Sequence, residues 1–400
     1  MPPVQRRTVF YIPGFDPFPA RRYRELYRTE GAAQAALSGY RLEQHPGADP
    51  GSWRVTAEID DQHTETELAV LPWADLVRDS MSGSILATYA QLVRTAWIYI
   101  RSGALGRLMR LRKGPVIAAL YPVAVLLIQA VLALALTGAG AALGRALLPG
   151  WGLWPGLALG GVAGWALLAA FRRADGRVFA WYLMHDYAFS ASLQGATPPA
   201  LEARLDAFAA RIGAALDSGV DEVLVVGHSS GAHLAVQTLA RLLRARAPRP
   251  GGPELALLTL GQVMPMVSFL PQAQGLRSDL RALSERDDMT WVDVTAPGDG
   301  CAFALCDPVA VSGVATPRAR WPLVFSAQFT RSLLPQTWRA LRWRFFRLHF
   351  QYLCAFDAPL DYDYFQITAG PLSLASRYGA RPPSASRITR ALSPHTSVAA

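Results

Sequence analysis

Two long stretches of the chain contain no charged residue, and they interrupt a sequence that otherwise mixes polar and apolar positions. The first runs from Gly114 to Gly144 and the second from Ala146 to Phe171, with Arg145 between them. A helix needs about 20 apolar residues to cross the hydrocarbon core of a bilayer, and each stretch reaches that length. We therefore predict a transmembrane helical hairpin over residues 114–171.

Basic residues are concentrated at the outer ends of this hairpin. Because positive charge favours the cytoplasmic side of a membrane, both flanking parts of the chain are predicted to lie in the cytoplasm. The arginine-rich composition, with Lys113 as the single lysine, fits a bacterial coding sequence, so the predicted location is a bacterial inner membrane. The flanking basic residues are Arg101, Arg107, Arg110, Arg112 and Lys113 before the hairpin, and Arg172, Arg173 and Arg177 after it.

Three glycines recur at intervals of four residues in the second apolar stretch, at Gly156, Gly160 and Gly164. Such a stripe of small residues lets another helix approach closely within a membrane. The neighbouring helix is either the first span or a second copy of the chain, and the sequence leaves both this choice and the oligomeric state open.

Outside the hairpin, short apolar runs alternate with segments of helical periodicity, which is typical of a parallel sheet covered by helices on both faces. The predicted fold class is α/β. Residues 1–113 form its N-terminal part with a juxtamembrane helix, residues 172–376 form its C-terminal part, and the polar residues 377–400 form a disordered tail. Strands are predicted at 8–12, 53–59, 67–73, 222–226, 254–263 and 290–294, and helices at 20–37 and 198–216.

Composition supports the membrane and argues against several other classes of ligand. Hydrophobic residues make up 51% of the chain, and its net charge is +9. A basic chain is compatible with nucleic acid or with anionic lipid. Beside two apolar stretches, the arginines and aromatics of residues 338–353 are better explained by a bilayer surface, so nucleic acid is not an expected partner. Neither the cysteine and histidine spacing nor any glycine-rich loop predicts a metal or cofactor.

The segment Gly227-His228-Ser229-Ser230-Gly231 follows an apolar run and precedes an alanine- and leucine-rich helix. A strand that ends at a serine flanked by glycines, with a helix leaving at once, exposes the serine hydroxyl on a sharp turn. This motif in this context resembles the α/β-hydrolase superfamily, in its lipase-like and esterase-like serine hydrolases. The resemblance implies that Ser229 is a catalytic nucleophile.

The same resemblance implies the chain order serine, acid, histidine for the catalytic residues. Two histidines lie late enough, and His349, within an aromatic segment, is favoured over His395 in the polar tail. For the acid, Asp299 follows the strand predicted at 290–294, and Asp307 is the alternative. The predicted triad is therefore Ser229, His349 and Asp299.

Resemblance also implies an oxyanion hole formed by two backbone N–H groups. One belongs to Ser230, and the other comes from the loop after an early strand, where Gly14 and Phe15 are the candidates. A simple Pro-Gly turn remains the alternative for that loop, and His228 and His233 are interpreted as packing residues.

The expected function is hydrolysis of a carboxylic ester or thioester by a membrane-anchored enzyme, and the membrane favours a lipid or other acyl ester. Three alternatives stay open. The same residues can transfer an acyl group to an acceptor other than water. The fold can also serve as an inactive interaction module, or the serine motif can be accidental in a membrane scaffold.

Overall fold

The computed structural model describes residues 2–81 and 83–399, and its centre is an eight-stranded sheet with the strand order β2-β3-β4-β1-β5-β6-β7-β8. Neighbouring strands pair in parallel, except that β3 is antiparallel to both β2 and β4. The predicted α/β class with a mostly parallel sheet is therefore confirmed. The strands are β1 Arg6–Ile12, β2 Arg41–Pro46, β3 Ser52–Ile59, β4 Gln62–Val70, β5 Glu222–His228, β6 Glu254–Leu260, β7 Thr290–Thr295 and β8 Leu323–Ser326.

Helices fill the connections between the strands. They are α1 Arg21–Ser38, α2 Ala74–Ser80, α3 Ile85–Arg101, α4 Ala104–Leu111, α5 Lys113–Leu147, α6 Leu153–Arg173, α7 Ala180–Ala191, α8 Pro199–Ala215, α9 Ser230–Ala245, α10 Met264–Ser268, α11 Gln274–Ser284, α12 Pro308–Val311, α13 Phe329–Ser332, α14 Pro335–Leu341, α15 Phe345–His349, α16 Tyr364–Ala369 and α17 Leu374–Tyr378. Short 3₁₀ turns cover Asp175–Arg177 and Phe350–Leu353.

Both faces of the sheet are covered. On one face, alternate residues of the central strands, such as Val226 and Val294, join Tyr27 of α1 and Phe365 of α16 in a continuous apolar core. On the other face, α9 packs against β1, β5 and β6 and is flanked by α8 and α11. Coverage on two faces explains why β5 is buried along its whole length, as the unbroken apolar run at 223–226 suggested.

Two strands were not predicted, and both lie at edges of the sheet. The sequence of β2 is polar and its residues are exposed or only half-buried, so it carries no hydrophobic pattern. The strand β8 is only four residues long. An edge strand pairs on one side only, and its position comes from its neighbour rather than from its own apolar residues.

The chain divides into two compact units. The first comprises Met1–Arg78, Ser102–Pro115 and Leu193–Ala400, and contains the sheet. The second comprises Asp79–Arg101 and Val116–Ser192. The second unit is therefore larger than the predicted hairpin at 114–171, because α3 and α7 pack against each other within it.

Within the second unit, the glycine stripe of α6 packs directly on α5. A Cβ built on Gly160 would lie 2.8 Å from the carbonyl oxygen of Leu136, and one built on Gly164 would lie 2.6 Å from that of Ala133. Both separations are too short for non-bonded atoms, so glycine is required at both positions. The sequence left two possible partners for this glycine stripe, the first apolar span or a second copy of the chain. In the structure the stripe packs on the first apolar span, α5.

The two apolar helices expose most of their surface. Both α5 and α6 are long and apolar enough to cross a membrane, and only 28% and 17% of their most apolar windows are buried. A buried core helix of a soluble protein would show the opposite pattern.

The segment after α17 differs from the predicted disordered tail. Ile388 pairs with Cys306 in a parallel bridge, and its N–H donates to Leu305 O over 2.7 Å. Leu392 is buried, and its N–H donates to Val311 O. A few apolar residues and backbone bonds to the 305–311 segment hold this polar stretch, whose composition alone suggests disorder.

Candidate active site

Ser229 lies at the sharp turn between β5 and α9. Its φ of 57° and ψ of −124° place a non-glycine residue in a strained conformation, which costs about 1–3 kcal/mol and is tolerated only where the surroundings enforce it. Ser229 is half-buried, whereas all of β5 before it and Ser230 after it are buried. The turn therefore brings this one side chain to the surface.

The two glycines of the motif make the turn possible. A Cβ on Gly227 would lie 2.6 Å from Gly231 O and 2.7 Å from the Cα of Ala232. A Cβ on Gly231 would collide with the backbone carbonyls of Ile12 and Pro13. Both glycines are therefore needed for α9 to leave the sheet against β1 and β5.

The turn lies where the chain connections diverge. From β1, in the middle of the sheet, the chain passes through α1 toward β2 at one edge, whereas from β5 it passes through α9 toward β6 on the other side. In open α/β sheets, ligands bind in the crevice at the carboxyl ends of strands where the connections separate in this way. Gly14 follows β1 into this crevice, where a Cβ added to it would lie 3.0 Å from Ser229 Cβ and 3.4 Å from Ser229 Oγ.

Asp299 and His349 form a hydrogen-bonded pair at the same end of the sheet. Asp299 lies in the loop after β7, and its Oδ2 accepts a hydrogen bond from His349 Nδ1 over 2.7 Å. Both side chains are almost fully buried. A buried carboxylate bonded to Nδ1 fixes the imidazole tautomer that leaves Nε2 with a lone pair.

Two further donors hold the Asp299 carboxylate. The N–H of Cys301 donates to Oδ1 over 2.9 Å, and the hydroxyl of Tyr352 donates to Oδ2 over 3.0 Å. Burial opposes ionisation of Asp299, but the charge of His349 together with these hydrogen bonds holds the pKa of the carboxyl below its ordinary value. Asp299 is therefore an anion at neutral pH, as an orienting acid must be.

Both Ser229 and His349 contact the segment Leu260–Gly261 at the end of β6. The N–H of Ser229 donates to Leu260 O over 2.9 Å, and a Cβ on Gly261 would lie 3.1 Å from Cε1 of His349. The Nε2 atom of His349 is buried and has no hydrogen-bond partner among the described residues, Ser229 included. Catalytic hydrogen bonds commonly tighten only when substrate binds, so an unbonded base is compatible with catalysis.

His228, which was interpreted as a packing residue, contacts the predicted base directly. Its Nε2–H donates to the backbone carbonyl of His349 over 2.9 Å, and the two rings lie 4.8 Å apart. Burial and the nearby charge of His349 lower the pKa of His228 to about 3, so its ring is neutral. His233 on α9 is also buried and neutral, because burial lowers its pKa to about 4.

The alternative residues have other partners. Asp307 caps α12, where its Oδ1 accepts from the N–H groups of Val309 and Ala310, each over 3.0 Å. His395 bonds to the backbone carbonyl of Ser102 over 3.2 Å. Neither residue bonds to the other or to Ser229.

The predicted oxyanion donors lie on both sides of Ser229. Ser230 begins α9, and the N–H groups of a first helical turn have no acceptor within the helix. On the other side, the loop after β1 is fixed by Trp73, whose indole N–H donates to Pro13 O over 2.9 Å. The ring of Phe15 packs 6.0 Å from that of Trp73. Gly14 and Ser230 therefore both adjoin the serine.

Aromatic side chains cover the loop that carries Asp299. A Cβ on Gly298 would lie 2.6 Å from the ring of Trp338, and one on Gly300 would lie 3.3 Å from that of Phe345. One on Gly114, in the first turn of α5, would lie 3.7 Å from Gly300 O. Gly114, which belongs to the first unit, therefore lies next to the loop that carries Asp299.

The structure also brings together three possible metal ligands that the spacing of residues in the sequence did not predict as a group. The side chains of Asp299, Cys301 and His349 bring ligand atoms within 4.8 Å of one another. Residues 299 and 301 come from one loop and 349 from a helix fifty residues later, so no short motif joins the three.

Comparison of the chain with family models, curated proteins and solved structures finds no match. Function must therefore be inferred from the site itself.

Proposed function

We propose that this protein is a membrane-anchored serine hydrolase of the α/β-hydrolase type, which cleaves a carboxylic ester or thioester. One observation carries the proposal: Ser229 stands in a strained strand-to-helix turn, and a buried Asp299–His349 pair lies at the same end of the sheet. Strain of this kind is maintained at sites that use it, and a histidine oriented by a carboxylate is the base that such a serine needs.

In the proposed reaction, His349 Nε2 takes the proton of Ser229 Oγ while this oxygen bonds to the substrate carbonyl carbon. The resulting oxyanion accepts hydrogen bonds from the Ser230 N–H and from the loop at Gly14 and Phe15. The carbonyl re-forms as the bond to the leaving group breaks, and the leaving group takes the proton from His349. Water then repeats the sequence on the acyl-enzyme and releases the acid.

Asp299 keeps the His349 tautomer and stabilises the imidazolium that forms. His228 stays neutral beneath it, because a second positive ring at 4.8 Å would oppose protonation of His349. The base therefore gains charge beside one fixed anion and no competing cation.

The membrane is part of the proposal. The α5–α6 hairpin anchors the enzyme in a bacterial inner membrane with the sheet on the cytoplasmic side, as the flanking arginines favour. Because the anchor attaches the enzyme to a bilayer, a lipid or other acyl ester is the proposed substrate class.

Covalent labelling with a fluorophosphonate tests the catalytic proposal in membranes that contain the full chain. We expect wild-type protein to be labelled, with Ser229→Ala and His349→Ala abolishing the label. His395→Ala is the matched control and should keep it, because the His395 ring bonds to Ser102 O and not to Ser229 or Asp299.

Retention of the label in Ser229→Ala would overturn the assignment of the nucleophile. Absence of label in folded wild-type protein would favour the inactive interaction module. If protein acylated by an ester substrate passes its acyl group to an added alcohol faster than to water, the reaction is acyl transfer rather than hydrolysis.

A further inference from the structure

Cys301 is held next to the Asp299–His349 pair by the turn of the acid loop. Its N–H donates to Asp299 Oδ1 over 2.9 Å, which fixes the direction in which the chain continues after the acid. The cysteine takes part in no disulfide and is half-exposed, whereas Asp299 and His349 are buried. The thiol of Cys301 therefore lies between solvent and the two buried side chains.

These three side chains offer a donor set that suits zinc. Their ligand atoms, one sulfur, one nitrogen and one oxygen, lie within 4.8 Å of one another. Zinc binds cysteine at about 2.3 Å and histidine or carboxylate at about 2.0–2.2 Å, in a tetrahedron. Ligand atoms in such a tetrahedron are about 3–4 Å apart, so small side-chain movements suffice to close the site.

The nitrogen of His349 that faces this cluster is Nδ1, which lies 2.7 Å from Asp299 Oδ2. His349 is 6% exposed, so an ion bound here would be held in a buried site. A metal ion bound by both side chains takes the place of the proton in their hydrogen bond, because a metal-bound histidine is deprotonated at the binding nitrogen. The opposite nitrogen, Nε2, has no hydrogen-bond partner among the described residues and is available to take the ring proton.

We propose that Asp299, Cys301 and His349 bind a zinc ion that reversibly switches the hydrolase off. The regulatory half of the proposal rests on the proposed function, whereas binding of the ion does not. Three protein ligands leave the fourth position to water, and Cys301, with its half-exposed side chain, provides the route of entry.

Zinc on Nδ1 switches off the base. It replaces the hydrogen bond to Asp299 and transfers the ring proton to Nε2, so the lone pair that takes the serine proton is lost. The thiol of Cys301 loses its proton to solvent and binds as thiolate, and the metal is neither oxidised nor reduced.

Inhibition is measured by fluorophosphonate labelling of the full-length protein in membranes, at buffered concentrations of free zinc. We expect micromolar zinc to suppress labelling and a chelator to restore it. Cys301→Ala should need at least about tenfold more zinc to lose half of its own metal-free labelling rate, since one of three ligands is lost. Cys354→Ala, the matched control, removes another half-exposed thiol and should respond as wild type does.

Binding is measured separately from catalysis, with Co²⁺ added to the purified detergent-solubilised protein. We expect a thiolate-to-cobalt charge-transfer band and the intense visible bands of tetrahedral cobalt, both lost in Cys301→Ala and kept in Cys354→Ala. Equal spectra for wild type and Cys301→Ala, or an equal zinc midpoint for both, would overturn the proposal. A cobalt spectrum without fluorophosphonate labelling would keep the metal site and overturn the proposed hydrolase.

Discussion

Individual residues around Asp299 fix the position of this carboxylate in the candidate triad. The carboxylate receives bonds from His349, Tyr352 and the Cys301 N–H, so its position does not depend on the histidine alone. The Tyr352 hydroxyl in turn accepts from the Ala296 N–H over 2.9 Å. In the proposed triad, Tyr352 is therefore a positioning residue that acts on His349 through Asp299.

Tyr352→Phe tests this role. The substitution removes one hydrogen bond to a charged group, which is worth about 1.5–3 kcal/mol. We expect the fluorophosphonate labelling rate to fall about tenfold or more. The substitution should also raise the pKa of Asp299, because the carboxylate loses a donor that lowers it.

Tyr378→Phe is the control for this substitution, because the Tyr378 hydroxyl donates to the Asp361 carbonyl and not to the triad. It should lose some stability and keep the labelling rate. Equal labelling rates for wild type and Tyr352→Phe would show that the other donors to Asp299 suffice.

At the scale of single residues, a feature was predictable from the sequence where the residue types themselves require it. The serine turn was predictable from Gly227 to Gly231, because only small residues fit there and the signal is local. The partners of Asp299 were not, because Tyr352 and Cys301 have no pattern that marks them before the loop and the helix meet. His228 shows the same limit, since its bond to the His349 carbonyl joins residues 121 positions apart.

Among the structural elements, the pair α5 and α6 shows how backbone contact sets the geometry. Gly160 faces α5, whereas a Cβ on its neighbour Gly161 would meet nothing within 4 Å. Gly160 therefore has no room for a side chain, whereas the adjacent Gly161 has. The two positions provide a matched test of helix packing.

Gly160→Leu should separate the two helices, because its side chain would meet the carbonyls of Leu136 and Thr137. Overpacking of this kind costs about 1–3 kcal/mol, so we expect a lower thermal midpoint in mild detergent. Gly161→Leu should leave the midpoint near that of wild type. A similar loss in both variants would mean that helix propensity, rather than packing against α5, decides the effect.

At the scale of the whole molecule, the chain places an apolar unit within the sequence of an α/β unit. The first unit is assembled from three separated segments, and the second is inserted between them. Arginines flank the α5–α6 hairpin within this unit on both sides, so the same side of the membrane is expected for the segments before and after the hairpin.

Thiol labelling tests this topology in intact cells. A cysteine at Trp151, in the connection between α5 and α6, is expected to react with a membrane-impermeant maleimide. A cysteine at the exposed Leu37 of α1 should react only after the membrane is opened. Reaction at position 37 in intact cells would show that the orientation is the reverse of the predicted one and would contradict the cytoplasmic location.

By itself, the sequence determined the features whose signals are local. Uncharged length predicted α5 and α6, apolar runs predicted the central strands, and steric need for glycine predicted the turn at Ser229. Tertiary structure alone decided the rest: which helix the glycine stripe meets, the order of the tail, the edge strands and the joining of Asp299, Cys301 and His349. These features depend on contacts between residues far apart in the chain, which form only when the sheet brings the ends of its strands together.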